Sequence, residues 1–445
     1  MTDQLPAFVR PYWKSENGEL LIGGVPVSSI VSRHGSPIFV YDRSTLERKY
    51  SALRRALPER LSIFYSVKAN PNPSLLEFFL ERGCGLEIAS AGEFQLARKA
   101  GCDPNNIIFA GPGKGESELE LVIANAICEI HVESMREIER ISTLSNRLSM
   151  PARVTLRVNP AEGTQGGAIQ MGGKPSPFGA DEENLEPLLH RIAVDPQLVF
   201  QGIHLFMGTQ ILDPHVLVDQ YKKGVDIARR AALIVGLPVH TLDFGGGLGI
   251  PYFSGESELN LDKLHLGLRA LMAELEGEAC FENTTFIVEP GRFLVGEAGI
   301  YVTRVNDIKS SRGKTYLILD GGMNHHLAAS GNLGQVVRRN FPIAVLNRME
   351  SPATDCFDIV GPLCTPLDTL GRGVRLPQVQ VGDLVGIFQS GAYARTASPL
   401  GFLSHPAPAE VWVADGHDFL IRRSSTFEDS LSDIVPLRNN ALSLS

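Results

Sequence analysis

No stretch of this chain approaches the roughly 18 unbroken apolar residues of a spanning helix. Its first ten residues, Met1 to Arg10, also lack the basic region and apolar core of a secretory signal, so the expectation is a cytoplasmic protein. Cysteine is sparse. The six thiols (Cys84, Cys102, Cys128, Cys280, Cys356 and Cys364) form no Cys-x-x-Cys pair and no local cluster with histidine, which predicts reduced cysteines and no metal centre. Excess positive charge is missing too: a formal net charge of −9 leaves no footprint for nucleic acid or an anionic membrane surface. Low-complexity tracts and repeats of 20 to 50 residues are absent, which removes solenoids and disordered tails.

What is present is an ordinary globular composition, 43% apolar and 20% charged, in 445 residues. Apolar and β-branched segments near 62–68, 85–89, 107–111, 129–133, 153–159, 199–206, 241–244 and 284–289 alternate with amphipathic stretches such as 73–82 and 92–100. Ser90-Ala91-Gly92-Glu93 has the spacing of a capping box before the second of these. Eight strand-then-helix units predict an α/β (β/α)8 barrel over residues 43–300. Beyond it, strand-like runs without helices predict an all-β domain over 301–445, and the strand-like Pro37–Tyr41 suggests that residues 1–42 pair with that domain.

In such a barrel the chemistry gathers at the C-terminal strand ends. Those ends are polar here: Lys68, Glu87, Arg157 with Asn159, Thr209, Gly245-Gly246-Gly247 and Glu289-Pro290-Gly291-Arg292. Lys68 is either a strand-end amine reaching water or a nucleophile whose neutral form burial would favour. The glycine run is either a tight turn or a cradle whose N–H groups approach a phosphate; Ile250 stands where a dinucleotide fingerprint needs its last glycine, so a monophosphate is the better ligand. A nucleophilic lysine, a monophosphate cradle with Arg292, and a carboxylate at Glu289 together fit pyridoxal 5′-phosphate.

Six motifs extend the case: Phe64-Tyr65-Ser66-Val67-Lys68-Ala69-Asn70, Glu87-Ile88-Ala89-Ser90-Ala91-Gly92-Glu93, Gly245-Gly246-Gly247, Glu289-Pro290-Gly291-Arg292, Gly361-Pro362-Leu363-Cys364 and Gly391-Ala392-Tyr393. As a set they resemble the fold-type III pyridoxal phosphate decarboxylases, the diaminopimelate and ornithine decarboxylase group with its alanine racemase-like barrel. The resemblance implies a Schiff base at Lys68 and a ring-nitrogen partner in Glu289. It also implies cofactor contacts from Glu87, Arg157, Phe206, Thr209, Gly245, Gly246, Gly247, Gly291, Arg292 and Tyr393. A homodimer is implied as well, with Cys364 crossing into the partner's site as a proton donor; taken alone, such a cysteine reads as packing.

Three departures bear on substrate. Phe206 stands where relatives stack a histidine, with His204 aligned to the outer histidine of the diaminopimelate enzymes. Thr365 replaces the acid that holds a distal amine, and His405-Pro406 stands where arginines would grip a distal carboxylate. Thr365, Asp368 and His405 are therefore the candidate substrate contacts. The pattern resembles the subgroup that includes a butirosin-pathway decarboxylase acting on carrier-bound glutamate, together with exosortase- and siderophore-associated decarboxylases. The glycine-rich loop at 166–175, read as a lid or a plain surface loop, and the run 361–371 resemble that subgroup too; the arginine pairs Arg338-Arg339 and Arg422-Arg423 either meet an acidic carrier or are merely solvated. Diaminopimelate decarboxylase, an amino-acid racemase and a non-catalytic cofactor-binding regulator are the alternatives.

Overall fold

The computed structural model describes residues 4–161, 169–170, 174–333, 335 and 337–435. The chain divides into two compact units, Glu47–Pro251 with Glu256–Val295, and Met1–Leu46 with Tyr252–Gly255 and Gly296–Ser445.

The first unit is an eight-stranded parallel barrel: β1 (Leu61–Ser66), β2 (Gly85–Ile88), β3 (Ile107–Phe109), β4 (Glu129–Val132), β5 (Ala152–Asn159), β6 (Leu198–Leu205), β7 (Thr241–Asp243) and β8 (Thr285–Val288). Neighbours pair in sequence order, and β8 returns to β1 with Phe286 opposite Leu61, which closes the ring. Helices start where the sequence supplies caps: Asn72, Ser90, Ser134, Asp213 and Asn260 each accept an orphan N–H of the first turn. At 90–93 the capping box is half made. Ser90 Oγ accepts from the Glu93 amide (3.2 Å), but the Glu93 carboxylate reaches past Ser90 to the Ala89 amide (2.7 Å).

Inward-facing residues recur every second position, so the interior is built in layers. A lower layer packs Phe64, Ile108 and Ile287 together. Gly85 makes room for it, since a Cβ there would lie 2.3 Å from the Phe64 ring. Two residues further along β1, β2 and β8 come Ser66, Glu87 and Glu289. The apolar floor thus supports a polar upper layer.

In the second unit, strand Ile38–Asp42 lies between Gly299–Ser311, antiparallel, and Ala409–Ala414, parallel. Gly299–Ser311 continues to Lys314–Leu319 and to Leu384–Ile387. Alternate residues Ile38, Val40, Ile300, Val302, Val411 and Val413 face one buried core that also takes Val9, Trp13 and Phe388. Among the described residues, no helix is long and apolar enough to cross a membrane.

Candidate active site

Strand β1 ends at Ser66, two residues earlier than the sequence pattern suggests, and Lys68 sits in a 3-10 turn over Val67–Ala69. The turn lifts the amine out of the strand's alternation and aims it at β2. Lys68 Nζ donates to both Glu87 oxygens (3.0 and 2.9 Å), and Ser66 Oγ donates to Glu87 Oε2 (2.5 Å). Burial opposes ionisation of Glu87 most strongly, yet the Lys68 charge and the Ser66 hydroxyl outweigh it and hold the carboxyl below its ordinary range. Gly291 keeps the β8 loop on this turn: a Cβ there would lie 2.8 Å from Ala69 Cβ.

Glu289 follows β8 and is 5% exposed. Burial, then the charges of Asp243 and Glu87, push its carboxyl well above the usual range. Its Oε1 and Oδ2 of Asp243 meet no N–H or hydroxyl donor, the two carboxyl groups share a proton between them, and Asp243 Oδ1 accepts from the Gly245 amide (2.7 Å). Asp243 is itself pushed up to about 6 by burial, which the charge of His131 and the Gly245 amide only partly offset. Below them lies a histidine pair, His131 Nδ1 to His204 Nδ1 at 2.9 Å, with His204 Nε2 3.6 Å from Glu289 Oε2. Burial first, then nearby positive charge, lowers His204 well below its ordinary value and keeps it neutral.

The loop after β7 is stitched to its neighbours by backbone contact. Gly245 has φ +68°, and a Cβ on it would lie 2.5 Å from the Leu205 oxygen; one on Gly246 would lie 2.6 Å from the Glu289 oxygen. Ile211 N–H donates to the Gly247 oxygen (2.9 Å), bringing the Thr209 segment alongside. Phe206 is half-buried, its ring edge against Gly245. Arg157 is engaged: its Nη1 donates to Glu133 Oε1 (2.8 Å) and its guanidinium lies over the Phe178 ring.

Lys68, Glu87, Arg157, Phe206, Thr209, Gly245, Gly246, Gly247, Glu289, Gly291 and Arg292 all belong to the barrel unit. Cys364, Thr365, Asp368, Tyr393 and His405 belong to the β unit. There Cys364 is exposed and reduced, and His405 is half-buried. Tyr393 holds φ +52°, a left-handed conformation that a bulky residue seldom adopts away from a working site. Asp368 is 2% exposed, and its two oxygens accept from the amides of Met323 (2.7 Å) and Leu363 (2.8 Å), which brace its own loop. Most of the 166–175 loop lies outside the described residues; Ile169–Gln170 pairs antiparallel with Gly208–Thr209.

Sequence reading missed Glu129, His131, Glu133 and Asp243. Glu129, also buried, takes the hydroxyls of Thr155 and Thr241 across the barrel. Polar residues at 129, 131 and 133 have the period of one strand face, the signal that marks them as interior. His131, His204, Asp243 and Glu289 also bring ligand atoms within 4.8 Å of one another, a metal-capable set that no local sequence spacing announces.

The family model for the pyridoxal-dependent decarboxylases, pyridoxal binding domain, matches residues 43–296. The L-glutamyl-[BtrI acyl-carrier protein] decarboxylase of Niallia circulans is 38% identical over 94% of this chain and 97% of its own. The diaminopimelate decarboxylase of Aquifex aeolicus is 32% identical over 94% and 96%. Among solved structures, the Helicobacter pylori diaminopimelate decarboxylase complexed with L-lysine superposes with a TM-score of 0.81 at 28% identity, covering 94% of this chain and all of that one.

Pyridoxal phosphate fits the residues present. A protonated pyridine nitrogen calls for a buried carboxylate with a lone pair to spare, which Glu289 Oε1 offers. A phosphate calls for backbone N–H groups where no side chain can intrude, which the packing of Gly245 and Gly246 enforces. The crowded acids Asp243 and Glu289, both desolvated, suit a cation, whether a metal ion or a ring nitrogen that carries a proton. The chain belongs to the pyridoxal-dependent decarboxylase family, lyases whose cofactor is pyridoxal 5′-phosphate.

Proposed function

We propose that this enzyme is a specialised amino-acid α-decarboxylase whose substrate carries no distal ammonium, and that it takes an L-glutamyl-type amino acid tethered to a carrier protein. The observation that carries this reading is the chemistry of the 361–371 loop. Thr365 stands where an acid would hold a distal amine, and the loop's one acid, Asp368, is consumed by backbone amides. A distal ammonium placed there would lose a charge-assisted partner, at a cost of about 1.5–3 kcal/mol. The likeness to a carrier-protein decarboxylase supports the same substrate class.

Bound at the barrel mouth, pyridoxal phosphate supplies an electron sink for the carbon that loses CO2. Lys68 is the amine that would carry it covalently, and Glu87, within 3.0 Å of Nζ, would orient it. Glu289 would hold the ring nitrogen, with Asp243 and the neutral His204 fixing its carboxyl. The Gly245–Gly247 amides, Thr209, Arg292 and Tyr393 would anchor the phosphate, and Phe206 would cover the ring face without an ionisable group.

Cys364 is the proton donor to Cα, supplied by the partner protomer of a homodimer in the cytoplasm. Cys364→Ala is expected to lower turnover about a hundredfold, the lower end of a general acid's contribution. Mixing inactive Lys68→Ala and Cys364→Ala chains should restore activity through hybrid dimers that hold one intact site. No restoration after subunit exchange, verified by native mass spectrometry, would refute the shared site.

Measuring CO2 release from L-glutamyl carrier protein, free glutamate, meso-diaminopimelate, lysine and ornithine tests the substrate. The carrier-bound amino acid should be turned over; robust turnover of free diaminopimelate would sink the specialised reading.

A further inference from the structure

The two arginine pairs that could meet an acidic partner are unlike in the structure. Arg422 is spent on Glu410, and Arg423 on Asp429 (2.5 and 2.8 Å). Arg338, Arg372 and Arg375 have no carboxylate within ion-pair distance among the described residues; Arg338 and Arg375 instead donate to the main-chain oxygens of Thr369 and Ala353. Arg338 and Arg372 are close in the β unit, and Arg375 follows on the strand of Arg372. Asn340 joins the 337–340 segment to strand Thr369–Leu376, donating to the Arg372 oxygen (2.7 Å) and accepting from its amide (3.0 Å). Asn332 Nδ2 similarly reaches the Leu367 oxygen (3.4 Å).

The same segments carry exposed apolar residues: Leu333 at 41%, Val337 at 72% and, on the loop of Cys364, Leu367 at 54%. The described parts of 331–340 and 366–376 contain one acid, the buried Asp368; two acids of the neighbouring strand flank them, Asp358, which accepts from Lys314 (2.7 Å) and the Gly373 amide (2.8 Å), and the exposed Asp355 opposite Leu376. With Lys314 matched to Asp358, three arginines against the exposed Asp355 still make a locally positive surface on a chain of net charge −9. Exposed aliphatics among arginines are also the composition of a protein interface, not of a merely solvated face. The surface adjoins the loop read as contacting substrate, since the Leu367 amide donates to Thr365 Oγ1 (3.3 Å).

We propose that this surface, with Arg338, Arg372 and Arg375 as its cations and Leu333, Val337 and Leu367 as its apolar contacts, is the docking site for the acidic carrier protein that presents the substrate. The inference rests on the carrier-tethered reading. Acidic side chains of the carrier would meet the guanidinium groups while its aliphatic residues cover the three apolar side chains, leaving the substrate-bearing arm to enter beside Thr365.

The test uses the holoenzyme, BtrI acyl-carrier protein loaded with L-glutamate, and a small glutamyl thioester that carries no protein. Arg372→Glu with Arg375→Glu, and separately Arg338→Glu, should raise KM for the loaded carrier about tenfold or more, with kcat and turnover of the small thioester unchanged. Wild-type KM for the carrier should also rise with ionic strength. If the reversals lower the melting temperature, Arg372→Gln with Arg375→Gln makes the same comparison with a smaller shift. Wild-type KM in the variants, with the carrier still processed by the wild type, would overturn the docking site and leave the functional reading standing. A wild type that processes free amino acids but never the carrier would overturn both. Loss of dimer mass in the variants would assign the surface to a second copy of this chain and overturn the proposal.

Discussion

Replacing Lys68 by alanine is expected to lower decarboxylation about a thousandfold or more, roughly 4 kcal/mol of transition-state stabilisation. The purified variant should also lose the visible absorbance of the bound cofactor. Removing this amine does two things, and the structure separates them. It takes away the nucleophile, and it strips Glu87, itself 1% exposed, of the cation that offsets its burial. The second effect is modest because the Lys68 side chain is 44% exposed and water screens the pair. Lys68→Arg distinguishes the effects: it restores a cation to Glu87 and should recover melting temperature, but a guanidinium cannot take the amine's covalent role, so activity stays lost. A Lys68→Arg enzyme with wild-type turnover would end the proposed role of Lys68.

The second large effect belongs to Glu289. Glu289→Gln should cost about a hundredfold to a thousandfold in rate, because an amide holds a ring nitrogen without favouring its protonation. Its pH signature is sharper. In the cofactor-free chain, Glu289 and Asp243 titrate above ordinary carboxyl groups, chiefly because they are buried. A carboxyl whose folded pKa is raised binds more protons folded than unfolded. Its contribution to stability is therefore fully present below pH ~4 and is lost as pH rises, through about 6 for Asp243, and Glu289 acts in the same direction. A ring cation at Glu289 relieves that loss. The melting-temperature gain on adding pyridoxal phosphate should accordingly grow between pH 5 and pH 8, and Glu289→Gln should flatten the growth. Acids held low by hydrogen bonds and nearby cations, such as Glu182 by the Ala161 amide, Lys223 and Arg230 and Asp195 by the Ser142 hydroxyl and Arg191, act in the opposite sense but cancel in the comparison of wild type with variant. A gain equal at both pH values would show that Glu289 does not face the ring nitrogen.

Much of this site was legible before the fold because a barrel converts strand order into one rim. Lys68, Glu87, the Gly245–Gly247 run and Glu289 each stand at a strand end, and alternation of strands with helices suffices to bring them together. The network beneath was harder to see. His131, His204 and Asp243 come from β4, β6 and β7, and their adjacency depends on barrel curvature and on side-chain reach. The partners of Asp368 were hidden for a related reason: nothing in the sequence names the Met323 and Leu363 amides as donors to its carboxylate.

The place of strand Ile38–Asp42 has a consequence for how the protein is made. It leaves the ribosome early, yet Gly299–Ser311 and Ala409–Ala414, its partners on either side, are encoded some 260 and 370 residues later. At typical translation rates the first partner follows after roughly 10–50 s. Throughout that interval an apolar Ile-Phe-Val-Tyr segment has both edges unpaired, a template for wrong pairing. Nascent chains should therefore need a holdase until the last third is synthesised, and expressing residues 43–445 alone should give insoluble protein rather than a trimmed enzyme.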